Sequence, residues 1–318
     1  MNKRTLGKTG IRVSEIAFGG VEIGLPYGIG IRSEADMLSR EDSVRLLNEA
    51  IDTGINLFDT APAYGSSEQI MGEAFRGKRE RVVISTKCGP LRDSTGALHS
   101  PEMIREMIEV SLEESLNELQ TDYVDIYKLH QVDKEILEND IIAEVFAGLR
   151  KRGVIRATGV STYSVEETKK AIESGRWDVI QLPFNLMDQS QGALFSLATA
   201  KGVGIMVRSV LFKGILSNKG RNLHPELKDV EQHIELFRKL FNESIHDLSS
   251  LAMKFALSFD QVASVLVGID KLAYLEQALS IADGNYLDSE TLQTVRDLQY
   301  PDTGFLDLVN WERMGWLT

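Results

Sequence analysis

The chain has a single cysteine, Cys88, among 318 residues, so no disulfide can close within it. That fits a reducing compartment, and the cytoplasm is the expected location. No stretch approaches the roughly 20 apolar residues of a membrane-spanning helix, so no membrane partner is expected. No apolar segment follows the polar start Met1-Asn2-Lys3-Arg4, so no signal peptide is expected either. Positive charge is in short supply, with 35 Lys and Arg against 47 Asp and Glu and a net charge of −12. Nucleic acid held without regard to sequence needs a basic face, and that class is excluded; a local basic pocket for a phosphate is not. Five histidines are scattered without paired metal-ligand spacing, and no metal is expected. No low-complexity linker divides the chain, so residues 1–318 form one domain.

What is present is alternation. Residues 4–14 form a small β-hairpin whose turn is Gly7 to Gly10, with Ile11 and Val13 alternating beyond it. Short apolar or β-branched runs then recur at 16–20, 55–59, 81–87, 123–130, 154–161, 179–183, 204–209 and 262–267. Helical patterns separate most of them: from Ser39 to the stop at Gly54, then about 68–75, 101–119, 136–151, 164–173, 193–200, 229–241, 246–259 and 272–282. Unbroken β-α alternation implies a parallel sheet, and eight units in this length imply a closed (β/α)8 TIM barrel behind an N-terminal hairpin. An open doubly wound sheet would need a phosphate fingerprint after an early strand. Gly28-Ile29-Gly30 opens no helix and does not supply one.

In such a barrel the chemistry sits at the C-terminal ends of the strands. The residues there are Gly20, Asp59, Lys87, His130, Ser161, Gln181, Arg208 with Ser209, and Gly268. The run Phe58-Asp59-Thr60-Ala61-Pro62-Ala63-Tyr64-Gly65 places an acid at one strand end and a tyrosine in the loop above it. Singly, each residue has a plain structural role: Asp59–Lys87 as an ion pair, His130 as an interior histidine, Cys88 as a packed small hydrophobe. Their convergence points to a site, because buried charge is costly unless paired and collects where function needs it.

These pieces, together with Ser85-Thr86-Lys87, Asp125-Ile126-Tyr127-Lys128-Leu129-His130 and Gly159-Val160-Ser161, resemble the aldo-keto reductase family over essentially the whole chain. The resemblance extends to its short-loop bacterial and sugar-dehydrogenase-like members. It implies an NAD(P)-dependent oxidoreductase acting on an aldehyde, ketone or sugar. Hydride added to a carbonyl carbon leaves charge on oxygen that must be protonated. Tyr64 would be the general acid, and the base in the oxidative direction. A phenol ionises near 10 unless a cation favours the phenolate. Lys87 would supply that cation, Asp59 would hold Lys87 charged and aimed, and His130 would orient the carbonyl oxygen. The resemblance further implies that Ser161 and Gln181 hold the nicotinamide carboxamide. Ser209, Leu211 and Gly214 would line the pyrophosphate path, with Gly20, Gly268, Asp270 and Gln277 along the same cofactor.

Several positions depart from the family pattern. Thr162 stands where Asn is common. Arg208 stands where an aromatic stacks on the nicotinamide, free to stack, to pair with a phosphate or acidic substrate, or to pair with a neighbouring acid. Tyr274 takes the usual arginine position at the adenosine end, where Asp270 would repel a 2′-phosphate and Lys271 is the one cation. The cofactor is therefore expected to be NAD, or either NAD or NADP. Lys128 shares a strand face with His130 and should point into the barrel, which requires a carboxylate or amide partner. The aromatic tail, Phe305, Trp311 and Trp316, is compatible with covering the substrate mouth, packing under the barrel, or a homo-oligomer contact. Two other functions stay open: a catalytically idle nicotinamide-binding regulatory protein on the same fold, and a lyase or isomerase using Lys87 as a Schiff base.

Overall fold

A computed structural model describes residues 1–317. Its centre is a closed barrel of eight parallel strands: β3 (Ile16–Gly19), β4 (Leu57–Asp59), β5 (Val83–Cys88), β6 (Val124–Leu129), β7 (Ile155–Ser161), β8 (Val179–Pro183), β9 (Gly204–Arg208) and β10 (Val262–Gly268). The last strand closes on the first. The antiparallel hairpin β1 (Lys3–Thr5) and β2 (Arg12–Ser14) precedes it. Helices α2 (Arg40–Asp52), α3 (Ser67–Ala74), α4 (Pro101–Glu118), α7 (Val165–Ser174), α8 (Phe195–Ala200), α9 (Lys228–Arg238), α10 (Leu248–Leu257) and α11 (Leu272–Ile281) cover the outside, after a short α1 (Val21–Gly24). Most of these ends follow local chemistry. Ser39, Ser100, Ser164 and Asp247 each accept a first-turn backbone N–H, and Pro101 sits where no donor is needed. Among the described residues, no helix is long and apolar enough to cross a membrane.

One expected helix is two. The 136–151 stretch breaks at Asn139 into α5 (Lys134–Glu138) and α6 (Asp140–Arg152). The Asn139 side chain accepts from the amides of Ile141 and Ile142, starting a new helix at the cost of continuing the old one. Beyond β10, α12 (Ser289–Asp297) and α13 (Leu308–Arg313) add helices that the strand-helix alternation does not announce.

Strand parity divides the apolar residues into two cores. Leu57, Val83, Ile126, Ala157, Val179 and Met206 fill the barrel, and Leu6, Ile11 and Val13 of the hairpin plug its lower end. Phe18, Phe58, Ile84, Tyr127, Val160 and Ile180 face outward to the helices. The same parity carries Asp59, Lys87, Lys128, Ser161, Gln181 and Arg208 to the inside at the upper end.

Arg4 anchors the plug. Its guanidinium donates to the carbonyls of Leu257, Phe259 and Val262 at 2.9, 2.9 and 2.8 Å, and to Glu15 at 2.8 Å. Asp125, although part of the family-like run, lies at the lower end of β6, where Arg79, Arg156 and the Ile84 amide hold it.

Gly7 is required where the plug meets the barrel. Its φ is +54°, and a Cβ there would lie 2.4 Å from the Gly204 amide nitrogen. We expect Gly7→Ala to cost on the order of 2–3 kcal/mol, read as a lowered urea midpoint with an unchanged slope. A midpoint within error of the wild type would show that the hairpin can shift freely.

Candidate active site

At the upper end of the barrel opens a cavity of about 750 Å³. At its floor, Asp59 closes β4, Lys87 rises from β5 and Tyr64 comes from the turn before α3. The Lys87 ammonium donates to Asp59 Oδ2 at 2.6 Å and to the Thr60 carbonyl at 2.9 Å. The other Asp59 oxygen accepts from Ser85 Oγ at 2.9 Å and from the Lys128 ammonium. Lys87 Nζ lies 4.5 Å from the centre of the Tyr64 ring. The His130 ring meets Tyr64 edge-on with 5.7 Å between centroids. Lys128 is fully buried and paired with a carboxylate, as its strand parity requires.

Burial alone would neutralise these groups, and their partners decide which stay charged. Burial pushes the Asp59 carboxyl up, but the Lys128 and Lys87 ammoniums outweigh it and hold the group below the usual carboxylate range. Burial likewise disfavours a charged Lys87, yet Asp59 and the Tyr64 oxygen raise it above its ordinary value. A Schiff-base nucleophile needs a neutral amine, and Lys87 is held in the opposite state. His130 falls to about 4, first through burial and then through Lys87, so its imidazole is neutral near pH 7. Cys88 lies on the opposite, helix-facing side of β5, and burial lifts its thiol to about 11. It packs as a small hydrophobe.

The structure brings every sequence-expected site residue to this one cavity. Ser161, Gln181 and Arg208 line one wall, and Ser209, Leu211 and Gly214 the turn that follows. Gly20, Gly268, Asp270 and Gln277 lie along the far side. Gly20 is bare by necessity, since a Cβ there would sit 2.8 Å from the Asp59 carbonyl. Gln277 is already engaged through its amide, which donates to Asp247 at 2.8 Å. Thr162 points away: its hydroxyl is 2.6 Å from that of Thr168, and its carbonyl accepts from Arg208 at 3.0 Å. Arg208 pairs with no acid among the described residues; it stacks on the Tyr163 ring at 4.3 Å.

These residues fit a nicotinamide dinucleotide on a feature of their own. The Gln181 Nε2 is buried and donates to nothing, although its side chain lines the cavity. An amide donor costs free energy when buried unpaired, and an acceptor entering the cavity, such as a carboxamide oxygen, would satisfy it. The turn after β9 lines the same cavity in a strained backbone conformation, with positive φ at Ser209, Phe212 and Lys213 and at Gly214.

Strand-end reasoning missed several cavity residues because they sit beyond the strands. Tyr27 and Glu22 come from the segment after β3; Asn185 and Asp188 follow β8; Lys213 and Lys219 follow β9. Glu22 Oε2 is shut off from solvent with no partner. Burial, and secondarily Asp270, push its carboxyl up to about 8. A Cβ on Gly268 would lie 1.9 Å from Glu22 Oε1, so that glycine makes room for the acid. The tail covers the mouth: Leu306, Leu308 and Val309 line the cavity, and Trp311 is buried against Phe212 and Phe305.

A family model described as "Aldo/keto reductase family" matches residues 15–299. The chain is 30% identical to L-galactose dehydrogenase of Arabidopsis thaliana across 94% of each chain. It is 32% identical to the NADH-specific methylglyoxal reductase of Escherichia coli (strain K12), across 68% of this chain and 69% of that one. The holo form of aldo-keto reductase AKR11C1 from Bacillus halodurans superposes with a TM-score of 0.78 at 27% identity, covering 94% of this chain and 96% of that one.

Proposed function

The chain belongs to the aldo/keto reductase family, and from that premise we propose that it transfers a hydride between a nicotinamide and a small carbonyl or sugar, with Tyr64 moving the proton. Membership makes it an oxidoreductase of carbonyl substrates with a nicotinamide cofactor. The observation that carries the finer reading is the buried Lys87–Asp59 pair beneath the Tyr64 ring, beside a neutral His130.

Nicotinamide, when bound, supplies or accepts the hydride. Ser161 and Gln181 would hold its carboxamide, Ser209, Leu211 and Gly214 the pyrophosphate, and Gly268, Asp270 and Gln277 the adenosine end. Reduction leaves negative charge on the carbonyl oxygen. A neutral imidazole has one N–H to donate there but is a weak acid, so His130 orients and the Tyr64 hydroxyl gives the proton. The Lys87 cation favours the resulting phenolate, and Asp59 keeps Lys87 charged and aimed. In oxidation Tyr64 takes the proton back. An idle regulatory role would not need this set intact.

The cofactor we propose is NAD, or NAD and NADP alike. Asp270 places an acid at the Gly268 end, where the buried Glu22 side chain already fills the space beside the glycine. Lys271 sits over the Tyr274 ring at 5.7 Å. A relative described as NADH-specific points the same way. The test is a panel of small aldehydes, ketones, aldoses and polyols with each cofactor, followed at the nicotinamide absorbance. We expect turnover of at least one compound, with kcat/KM for NAD(H) equal to or above that for NADP(H). A clear preference for NADP(H) would overturn the cofactor proposal. Silence across the panel, with tight cofactor binding retained, would favour the regulatory role.

A further inference from the structure

Asp59 is one carboxylate serving two buried ammoniums, and the assigned chemistry uses only one of them. Lys128 reaches Asp59 Oδ1 from β6 while Lys87 holds Oδ2 from β5. Strand register sets Lys87, Lys128 and Gly159 side by side across β5, β6 and β7. Gly159 is what admits the second lysine, since a Cβ there would lie 2.8 Å from Lys128 Cγ. Lys128 does not line the cavity and has no exposed surface.

We propose that Lys128 is a positioning residue of the reaction: through Asp59 it adds a second cation to the buried cluster, and its proton decides whether the cluster beside Tyr64 carries one net positive charge or none. This rests on the proton-transfer role of Tyr64. The charged and titratable groups around the Lys128 ammonium are Asp59 on β4, Lys87 on β5, His130 just past the end of β6 and Arg208 on β9. Burial lowers Lys128 to about 7, with Lys87 and Arg208 adding to the shift and Asp59 opposing it. Below that pH, Asp59, Lys87 and Lys128 sum to +1 and favour negative charge on the substrate oxygen or the phenol oxygen. Above it the sum is zero and that support is gone.

The experiment compares wild type with Lys128→Met, which keeps the length and drops the charge. In carbonyl reduction, the wild-type kcat profile should show a limb centred near pH 7 that Lys128→Met lacks. The two rates should differ by about tenfold or more at pH 6 and converge within about threefold at pH 8.5. A merely structural role would scale the profile uniformly. That result, or identical profiles, overturns the proposal.

A second reading needs neither substrate nor cofactor. The unfolded lysine keeps its proton to about pH 10.4, while the folded one releases it near 7. The unfolded chain therefore binds more protons across that window, and wild-type stability rises with pH there. The urea midpoint of wild type should climb relative to that of Lys128→Met between pH 7 and 9.5. A constant difference overturns the titration. Tyr64→Phe run alongside separates the readings, because retained turnover in that variant sinks the role of Tyr64 and leaves the urea comparison to judge Lys128.

Discussion

Replacing Tyr64 with phenylalanine is expected to lower kcat by about 10²- to 10⁴-fold, the usual worth of a placed general acid, with cofactor affinity within twofold of wild type. The change removes one oxygen and keeps the ring, so the edge contact to His130 and the packing over Lys87 persist. Single-turnover hydride transfer and quenching of protein fluorescence by the reduced cofactor read the two quantities separately. The neutral state of His130 sharpens the test, since an imidazole that protonates only near pH 4 cannot substitute as the acid at neutrality. Retention of more than about a tenth of the wild-type rate would place the proton elsewhere, and no amount of altered cofactor binding would restore the assignment.

The second large effect is on stability. Asp59→Ala leaves the Lys87 and Lys128 ammoniums buried with no counter-ion. Removing one partner from a buried ionic cluster costs about 3–5 kcal/mol, and the melting temperature should fall by roughly 10 °C. Lys87 also loses the group that aims it, so turnover should fall with it. Asp59→Asn keeps the shape without the charge and should fall between the two. The sign with pH follows from the lowered carboxyl. The folded group ionises below the ordinary carboxylate range, so its contribution is complete above about pH 4, where the unfolded carboxyl is also ionised. It is lost as pH falls through the folded value. The gap in melting temperature between wild type and Asp59→Ala should therefore be widest between about pH 5 and 7, where Lys128 is also charged, and close on acidification. A gap that held constant to pH 2 would mean that the carboxylate contributes by packing alone.

Much of this is written in the sequence because barrels obey parity. A β-branched run that ends in a polar residue places that residue at the rim, and the period of two assigns its face. That reasoning reaches Asp59, Lys87, His130, Ser161 and Gln181, and it foretells a buried partner for Lys128. It would also have turned Thr162 outward, one step past the inward Ser161. Where the chain leaves the strands, parity is silent. Glu22 and Tyr27 enter the cavity from the segment after β3, and Tyr163 meets Arg208 from another loop. The positive φ values at Ser209, Phe212 and Lys213 fall on residues whose side chains give no hint of them. The break at Asn139 escaped for a related reason: apolar periodicity continues through it, and only the side chain's competition for backbone amides ends the helix. The tail aromatics could cover a mouth, a base or a partner equally well, and only the path of α12 and α13 sets Trp311 against Phe212, a residue of the cavity wall.

Arg4 has a bearing on how the barrel is made. Its three carbonyl partners lie 253 to 258 positions further along the chain. The hairpin can therefore complete its docking only after the last strands of the barrel have been made. Its apolar face of Leu6, Ile11 and Val13 waits until β9 and β10 have left the ribosome. The β10–β3 seam likewise joins strands about 250 residues apart, so closing it carries the loop-closure entropy of a long intervening segment. Topology thereby constrains the order of assembly: β4 to β8 can pair with their sequence neighbours, whereas Arg4 can lock the ring only once the eighth strand is in place.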